Sequence, residues 1–316
     1  MADKFFGCKH NLKHLVWKAF KRQPVMIYPL SINVNPLNLS SENVFGFEVE
    51  IENLPEPPHI HGWTCTIDGS LRNNGKEYVS NPTEGRSVTS LLDSLFENLP
   101  EDSDFHPRAG IHIHVNCLDM ALEQVQKALL YYYLLEPAFF KIADTSRKDS
   151  VFCVPLKECN NILSYLTLTG DDHGCSKYAA LNRLPLFSLG TLEFRHLQST
   201  SDRATLDWFV QLVDSIATAA KSGTDSVEDA LTQIKENPHS LVAYILKDRF
   251  DSYIHNGIVT PEDVESQAAH FLHLFAQKNA GQFIADSFGY TAQTNNIVLI
   301  NKDMYEADGL AEEEVV

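Results

Sequence analysis

Apolar and polar residues alternate with a period of two in three stretches of the chain, the pattern of strands that bury one face. Phe45, Phe47, Val49 and Ile51 alternate with Gly46, Glu48, Glu50 and Glu52. Ile111, Ile113 and Val115 alternate with His112, His114 and Asn116, and along 190–197 Glu193 and Arg195 share one face. If these strands share a sheet, their polar rows merge into one charged surface.

Other elements follow from turn signals and helical spacing. Residues 62–68 and 75–80 read as short strands joined by Asp68-Gly69-Ser70 and Asn73-Asn74-Gly75. Val88, Leu91, Leu92, Leu95 and Leu99 recur as on one side of a helix over 87–99. A long aromatic helix is expected near 120–143, with Pro137 able to kink or divide it. Residues 145–190 read as irregular, with isolated cations including Arg147, Lys148, Lys177 and Arg183, as in binding loops or lids. A helix over 202–221, capped by Ser201 or Asp202, leads into a helical pattern from 225 to 288 with starts at Ser226 and at Thr260-Pro261. One last strand is expected at 296–300. The whole reads as α+β: a sheet flanked by helices, with a helical C-terminal part.

Composition narrows the class. The 316 residues are enough for a large core, and the 44% hydrophobic and 21% charged fractions are those of a water-soluble globular chain. No run of about 18 apolar residues and no signal-peptide pattern occurs, which points away from membranes and secretion and toward a cytoplasm. Cys8, Cys65, Cys117, Cys153, Cys159 and Cys175 form no CxxC pair, so reduced thiols are expected in place of a disulfide framework or zinc knuckle.

Charge is unevenly placed. The net charge of -17 argues against nucleic-acid binding by the body of the protein. In residues 1–44 Lys4, Lys9, Lys13, Lys18, Lys21 and Arg22 oppose only Asp3 and Glu42, a balance of +4 that leaves -21 for the remainder. Leu12, Leu15, Val16 and Ala19 at helical spacing make this arm either a surface helix docked on the acidic body or a basic arm for a polyanionic partner. Prolines 24, 29 and 36 mark residues 24–44 as an extended connector. The segment from Glu306 to Val316 is acidic and reads as a loose tail.

Each polar row has an ordinary explanation when taken alone. Glutamates face solvent on many strands, Glu193 and Arg195 suit a structural ion pair, and one HxH is a weak signal beside His59/His61 and His270/His273. Several like charges aligned on one strand face nevertheless repel unless counter-ions intervene. Jointly, Glu48, Glu50, Glu77 and Glu193 with His112 are an oxygen-rich set with one nitrogen, which suits Mg²⁺ or Mn²⁺ better than Zn²⁺. Neither GxxxxGK[ST] nor GxGxxG occurs, so a bound nucleotide would be held by metals and arginines.

The order of the motifs is more specific than any one of them. GFEVE, then Trp63 with Asp68-Gly69-Ser70, then Glu77-Tyr78-Val79-Ser80-Asn81-Pro82, then Arg108-Ala109-Gly110-Ile111-His112-Ile113-His114-Val115-Asn116, then Lys177-Tyr178-Ala179-Ala180-Leu181-Asn182, then Gly190-Thr191-Leu192-Glu193-Phe194-Arg195 follow one another. Over roughly 44–215 this series resembles the amidoligase family, in the superfamily of glutamine synthetase and glutamate-cysteine ligase. The resemblance implies an ATP-dependent ligase that joins a carboxylate to an amine, on a curved, mainly antiparallel sheet binding ATP and two or three Mg²⁺ or Mn²⁺ ions. By the same resemblance Glu48, Glu50, Glu77, His112 and Glu193 are metal ligands, and His114 lies near the phosphates. Arg195 stabilises the transferring phosphoryl group, Arg147 clamps a phosphate or carboxylate, and Lys177 and Asn182 belong to the nucleotide site.

The expected organisation is a basic arm and connector over 1–43, a catalytic core over 44–222, a helical region packed on it over 223–303 and an acidic tail over 304–316. A metal-dependent hydrolase on the same sheet and an inactive ATP- or metal-binding module are the alternatives. The carboxylate and amine substrates are not legible, since their pocket would fall in 145–190 and the helical C-terminal part.

Overall fold

The computed structural model describes residues 37–159, 162–168, 178–223 and 226–277. The basic arm, Lys177, the expected strand at 296–300 and the acidic tail lie outside these residues.

The alternating stretches become β1 (Val44–Ile51), β5 (Gly110–Asn116) and β7 (Thr191–Gln198). With β2 (Trp63–Thr66), β3 (Lys76–Ser80), β4 (Thr83–Glu84) and β6 (Leu181–Asn182) they build a seven-stranded sheet in the order β2-β3-β1-β5-β7-β6, with β4 on the start of β1. Every pairing is antiparallel. The apolar row of β1 is sealed away from water, as alternation requires: Phe45, Phe47, Val49 and Ile51 are at most 1% exposed.

Helices cover that apolar face. Between β4 and β5, α1 (Val88–Phe96) buries Val88, Leu91, Leu92 and Leu95 and receives the Trp63 indole N–H on Leu91 O. Next come α2 (Leu122–Ile142), α3 (Ile162–Thr167), α4 (Pro185–Ser188) and α5 (Arg203–Ser222), whose start is capped by the Asp202 carboxylate accepting from Ala204 N. The aromatic row of α2 packs Tyr132 and Phe139 against Phe194 of β7, and Phe209 of α5 against Phe139. Pro137 neither breaks nor divides α2. A proline cannot donate to the carbonyl four residues back, and here Gln267 Nε2 donates to Tyr133 O at 2.8 Å in its place.

The C-terminal helices are α6 (Val227–Glu236), α7 (Pro238–Leu246), α8 (Phe250–His255) and α9 (Pro261–Gln277). Ser226 and Asp229 form a reciprocal capping box at α6, and the Asn237 side chain caps α7 directly after α6 ends. Val227, Leu241 and Phe271 from these helices join the same hydrophobic core as β1 and α2. The architecture is therefore α+β, an antiparallel sheet flanked by helices with a helical C-terminal part. Among the described residues no helix is long and apolar enough to cross a membrane.

The segment expected to be irregular carries more order than its composition suggests. Besides α3, β6 and α4 it holds 3-10 turns at Thr145–Asp149 and Leu156–Glu158 and a parallel bridge between Val154 and Ala179. Long-range backbone pairing and the buried Cys153 hold this segment in place, neither of which leaves a local periodic signal.

Candidate metal and phosphate site

Register decides which side chains meet. Glu50 pairs with Glu77 across β1 and β3, Glu48 with His112 across β1 and β5, His114 with Glu193 across β5 and β7, and Glu193 with Asn182 across β7 and β6. Paired residues of antiparallel strands point to the same face. The face opposite the helices is therefore a continuous acidic and imidazole row drawn from four strands, with Asn182 of β6 at its end.

His112 is its centre. The Nδ1 atom lies 2.9 Å from Glu48 Oε2 and 3.4 Å from Glu193 Oε1, while Nε2 lies 4.0 Å from Glu50 Oε1. Two groups of three could each hold a metal ion, Glu48 with His112 and Glu193, and Glu50 with Glu77 and His112. Four carboxylates and one imidazole suit a hard divalent cation such as Mg²⁺ or Mn²⁺.

Neighbours orient these ligands. Gly110 N donates to Glu50 Oε2 at 2.6 Å, Asn182 Nδ2 donates to Glu193 Oε2 at 2.6 Å, and Thr66 Oγ1 donates to Glu77 Oε2 at 3.2 Å. Arg195 also pairs with Glu193. His114 Nδ1 meets Thr191 Oγ1 at 2.9 Å, and its Nε2 stands 3.2 Å from Glu48 Oε1 without hydrogen-bond alignment. That nitrogen and Arg195 Nε are buried polar atoms with no hydrogen-bond partner, as expected where a charged ligand completes the site.

Glu48 and Glu77 are driven apart electrostatically. Burial pushes the Glu48 carboxyl up, but the His112 hydrogen bond and the attraction of the His114 and His112 charges outweigh it and hold Glu48 well below the usual carboxylate range. At Glu77 the His112 charge does not offset burial. Burial, reinforced by the Glu48 charge, raises it to about 7. A cation beside these groups would remove the repulsion.

A cleft of about 490 Å³ lies over the row. Glu48, Glu50, Glu77 and His112 line it together with Arg72, Arg108, Arg147 and Arg195. Of the residues singled out in the sequence, Glu48, Glu50, Glu77, His112, His114, Glu193 and Arg195 converge on one face. Asn182, expected beside a nucleotide, holds the Glu193 carboxylate. Arg147 reaches from its 3-10 turn to donate through Nε to His196 O at 2.8 Å and through Nη2 to Arg195 O at 2.9 Å, so part of its guanidinium braces β7.

β7 carries a bulge that the alternation does not reveal. Between the Ile113–Phe194 and Ile111–Leu197 pairs, Arg195 and His196 together oppose His112. Arg195 stays on the cleft face, whereas His196 turns wholly into the core, where its Nε2 meets Tyr132 OH at 2.9 Å. Sequence reading also missed the fully buried Glu52, whose Oε2 accepts from Arg108 Nη2 at 2.7 Å on the cleft rim. Its signal was present, since Glu52 ends the first acidic row and Arg108 opens the HxH motif.

No protein-family model and no curated protein matches the chain.

Proposed function

We propose that the protein is an ATP-dependent carboxylate-amine ligase on a glutamine-synthetase-like sheet, forming an amide through an acylphosphate and releasing ADP and phosphate. The observation that carries this reading is the meeting of two potential metal triads at His112, under a cleft also lined by Arg147 and Arg195. Carboxylates alone would suit any divalent-cation site. Arginines facing the same space add donors for phosphoryl oxygens.

Glu48, His112 and Glu193 would hold one ion, and Glu50, Glu77 and His112 another. Bound Mg²⁺ or Mn²⁺ would supply charge neutralisation between two anionic reactants. Arg195, oriented by Glu193, donates to the transferring phosphoryl group, and His114 lies beside it. A substrate carboxylate oxygen bonds to the γ-phosphorus as the bond to the ADP oxygen breaks. The amine nitrogen then attacks the acyl carbon, the C–O bond to phosphate breaks, and the nitrogen gives up a proton to leave the amide. The packed row brings the reactants' charges to fixed partners and so saves reorganisation at the reacting centre. A cytoplasm, with reduced thiols such as the free Cys117 and Cys153, is the compartment this chemistry suits.

The test is ADP release by the full chain with Mg²⁺ or Mn²⁺ and pooled carboxylates and amines, followed by mass spectrometry of the product. ADP formation that needs both pools and is lost in Glu50→Gln supports the ligase. Turnover without ATP, or AMP as the product, overturns it.

A further inference from the structure

Phe152 is one of the few large apolar side chains left in water among the described residues, at 51% exposed, and it lines the cleft. Tyr178, also lining the cleft, stands against it edge to face, with ring centroids 5.5 Å apart and planes at 79°. Leaving such a ring exposed forgoes the free energy that burying its apolar surface would provide. Ordinary surface scatter does not explain this ring, because the backbone on both sides is pinned.

The next residue, Cys153, is fully buried with Phe140 and Ala180. Val154 N donates to Tyr178 O at 2.8 Å, Ala180 N donates to Val154 O at 2.8 Å, and Arg195 N donates to Ala180 O at 2.9 Å. Cys153 points in, and Phe152 is held out over the cleft. The same hydrogen-bond chain ties both aromatic residues to the backbone of Arg195. The pair is thus fixed in position relative to the charged row before any ligand arrives.

We propose that Phe152 and Tyr178 form the stacking platform for the nucleobase of the nucleotide, an inference that rests on the nucleotide role proposed above. Most of the remaining cleft is ionic, with carboxylates and His112 on its floor and Arg147 and Arg195 among its walls, and Leu71, Pro107 and Val151 are its other apolar side chains. A ligand that matches both parts needs a flat apolar ring joined to a polyanionic chain. A nucleoside triphosphate has that build, and an aliphatic amine or carboxylate lacks the ring. Stacking on aromatic side chains is the usual way proteins hold a base without reading its edge.

The platform is tested by calorimetric titration of the full chain with ATP and, separately, with inorganic tripolyphosphate, both in saturating Mn²⁺. Tripolyphosphate carries the phosphate chain without the base. ATP is expected to bind roughly tenfold or more tightly than tripolyphosphate, the range that one stacked base confers. Phe152→Ala, a change at an exposed position, is expected to abolish that difference by weakening ATP alone, and Phe152→Trp to restore it. Equal affinity of the two ligands for the unaltered protein, or an equal loss of both in Phe152→Ala, overturns the platform and leaves the metal-phosphate site standing. If neither ligand binds with Mn²⁺, the nucleotide role falls and the platform with it.

Discussion

Gly110 and Glu50 are joined across the end of β1 and β5 by a 2.6 Å hydrogen bond from the glycine N–H to Oε2, which leaves Oε1 4.0 Å from His112 Nε2. Gly110 also gives the imidazole its room, since a Cβ at that position would lie 3.0 Å from His112 Nε2. One residue therefore sets both the carboxylate and the ring of a proposed triad.

The first prediction separates ligand from support. Glu50→Gln and Glu48→Gln each remove a charge from a triad and are expected to cost more than the roughly 10- to 100-fold in metal affinity typical of losing a supporting group. Gly110→Ala, which shifts the ring without removing a ligand, is expected to fall inside that range. Mn²⁺ titration followed by electron paramagnetic resonance measures both, with circular dichroism to show that the fold persists.

The second concerns pH. A proton on Glu77 competes with metal, and because the carboxyl is raised to about 7 it still carries a proton in much of the population at neutral pH. Metal affinity is expected to rise between pH 5.5 and 7.5, with proton release on binding, and Glu77→Gln is expected to flatten that rise while weakening binding overall. The folded pKa lies above the ordinary carboxyl value of 4.5, so ionising Glu77 destabilises the metal-free fold as pH rises toward and through 7. Glu77→Gln should then raise the metal-free melting temperature at pH 8. Melting curves at pH 6 and 8 with a chelator check the sign.

Much of this site was legible because a strand's period of two keeps its polar row in sequence order. Phe45 to Glu52 and Ile111 to Asn116 announced both their strands and the polar side chains that meet on one face. Where distant chain segments decide the outcome, the local pattern failed. Pro137 looks like a helix breaker until Gln267 arrives from α9 to bond Tyr133 O. His196 reads as one more polar residue of β7 until the bulge turns it toward Tyr132. Asn182 lies in a motif that suggested a nucleotide contact, and only the β6–β7 register shows it bonded to Glu193.

Pro137 and Gln267 supply the third prediction. Gln267→Leu strips a 2.8 Å donor from a buried carbonyl and is expected to cost about 1–3 kcal/mol of stability. Pro137→Ala returns a helical N–H that can reach Tyr133 O, so in that background the Gln267→Leu cost should shrink toward zero. A double-mutant cycle by chemical denaturation measures the coupling. Equal costs in both backgrounds would show that Gln267 acts through packing alone.

The fourth uses His196. Burial, aided by the Arg147 charge, holds this imidazole well below its ordinary value of 6.5, so the folded protein keeps it neutral while the unfolded chain takes up a proton. Its contribution to stability is present above pH 6.5 and is lost as pH falls below it, by about 1.4 kcal/mol for the first full unit. Glu136, buried and raised above its ordinary value, works in the opposite direction. The informative quantity is therefore the difference in pH dependence between the unaltered protein and His196→Gln over pH 7.5 to 5.5, which should isolate the histidine.

Arg147 decides between two roles that the chain allows. As a phosphate clamp it would touch the nucleotide, so Arg147→Lys would raise KM for ATP and leave the melting temperature nearly unchanged. The geometry favours the other role. Nε and Nη2 are committed to His196 O and Arg195 O, the two carbonyls of the β7 bulge, and Arg147 is only 5% exposed. A lysine cannot reproduce that two-point contact. Losing one such charged hydrogen bond costs roughly 1.5–3 kcal/mol, so Arg147→Lys is expected to lower the melting temperature markedly. Because the bulge aims Arg195, kcat should fall with it while KM for ATP holds. Thermal melts beside steady-state kinetics on the same variant separate the two, since only the brace links stability to turnover through a residue that need not touch substrate.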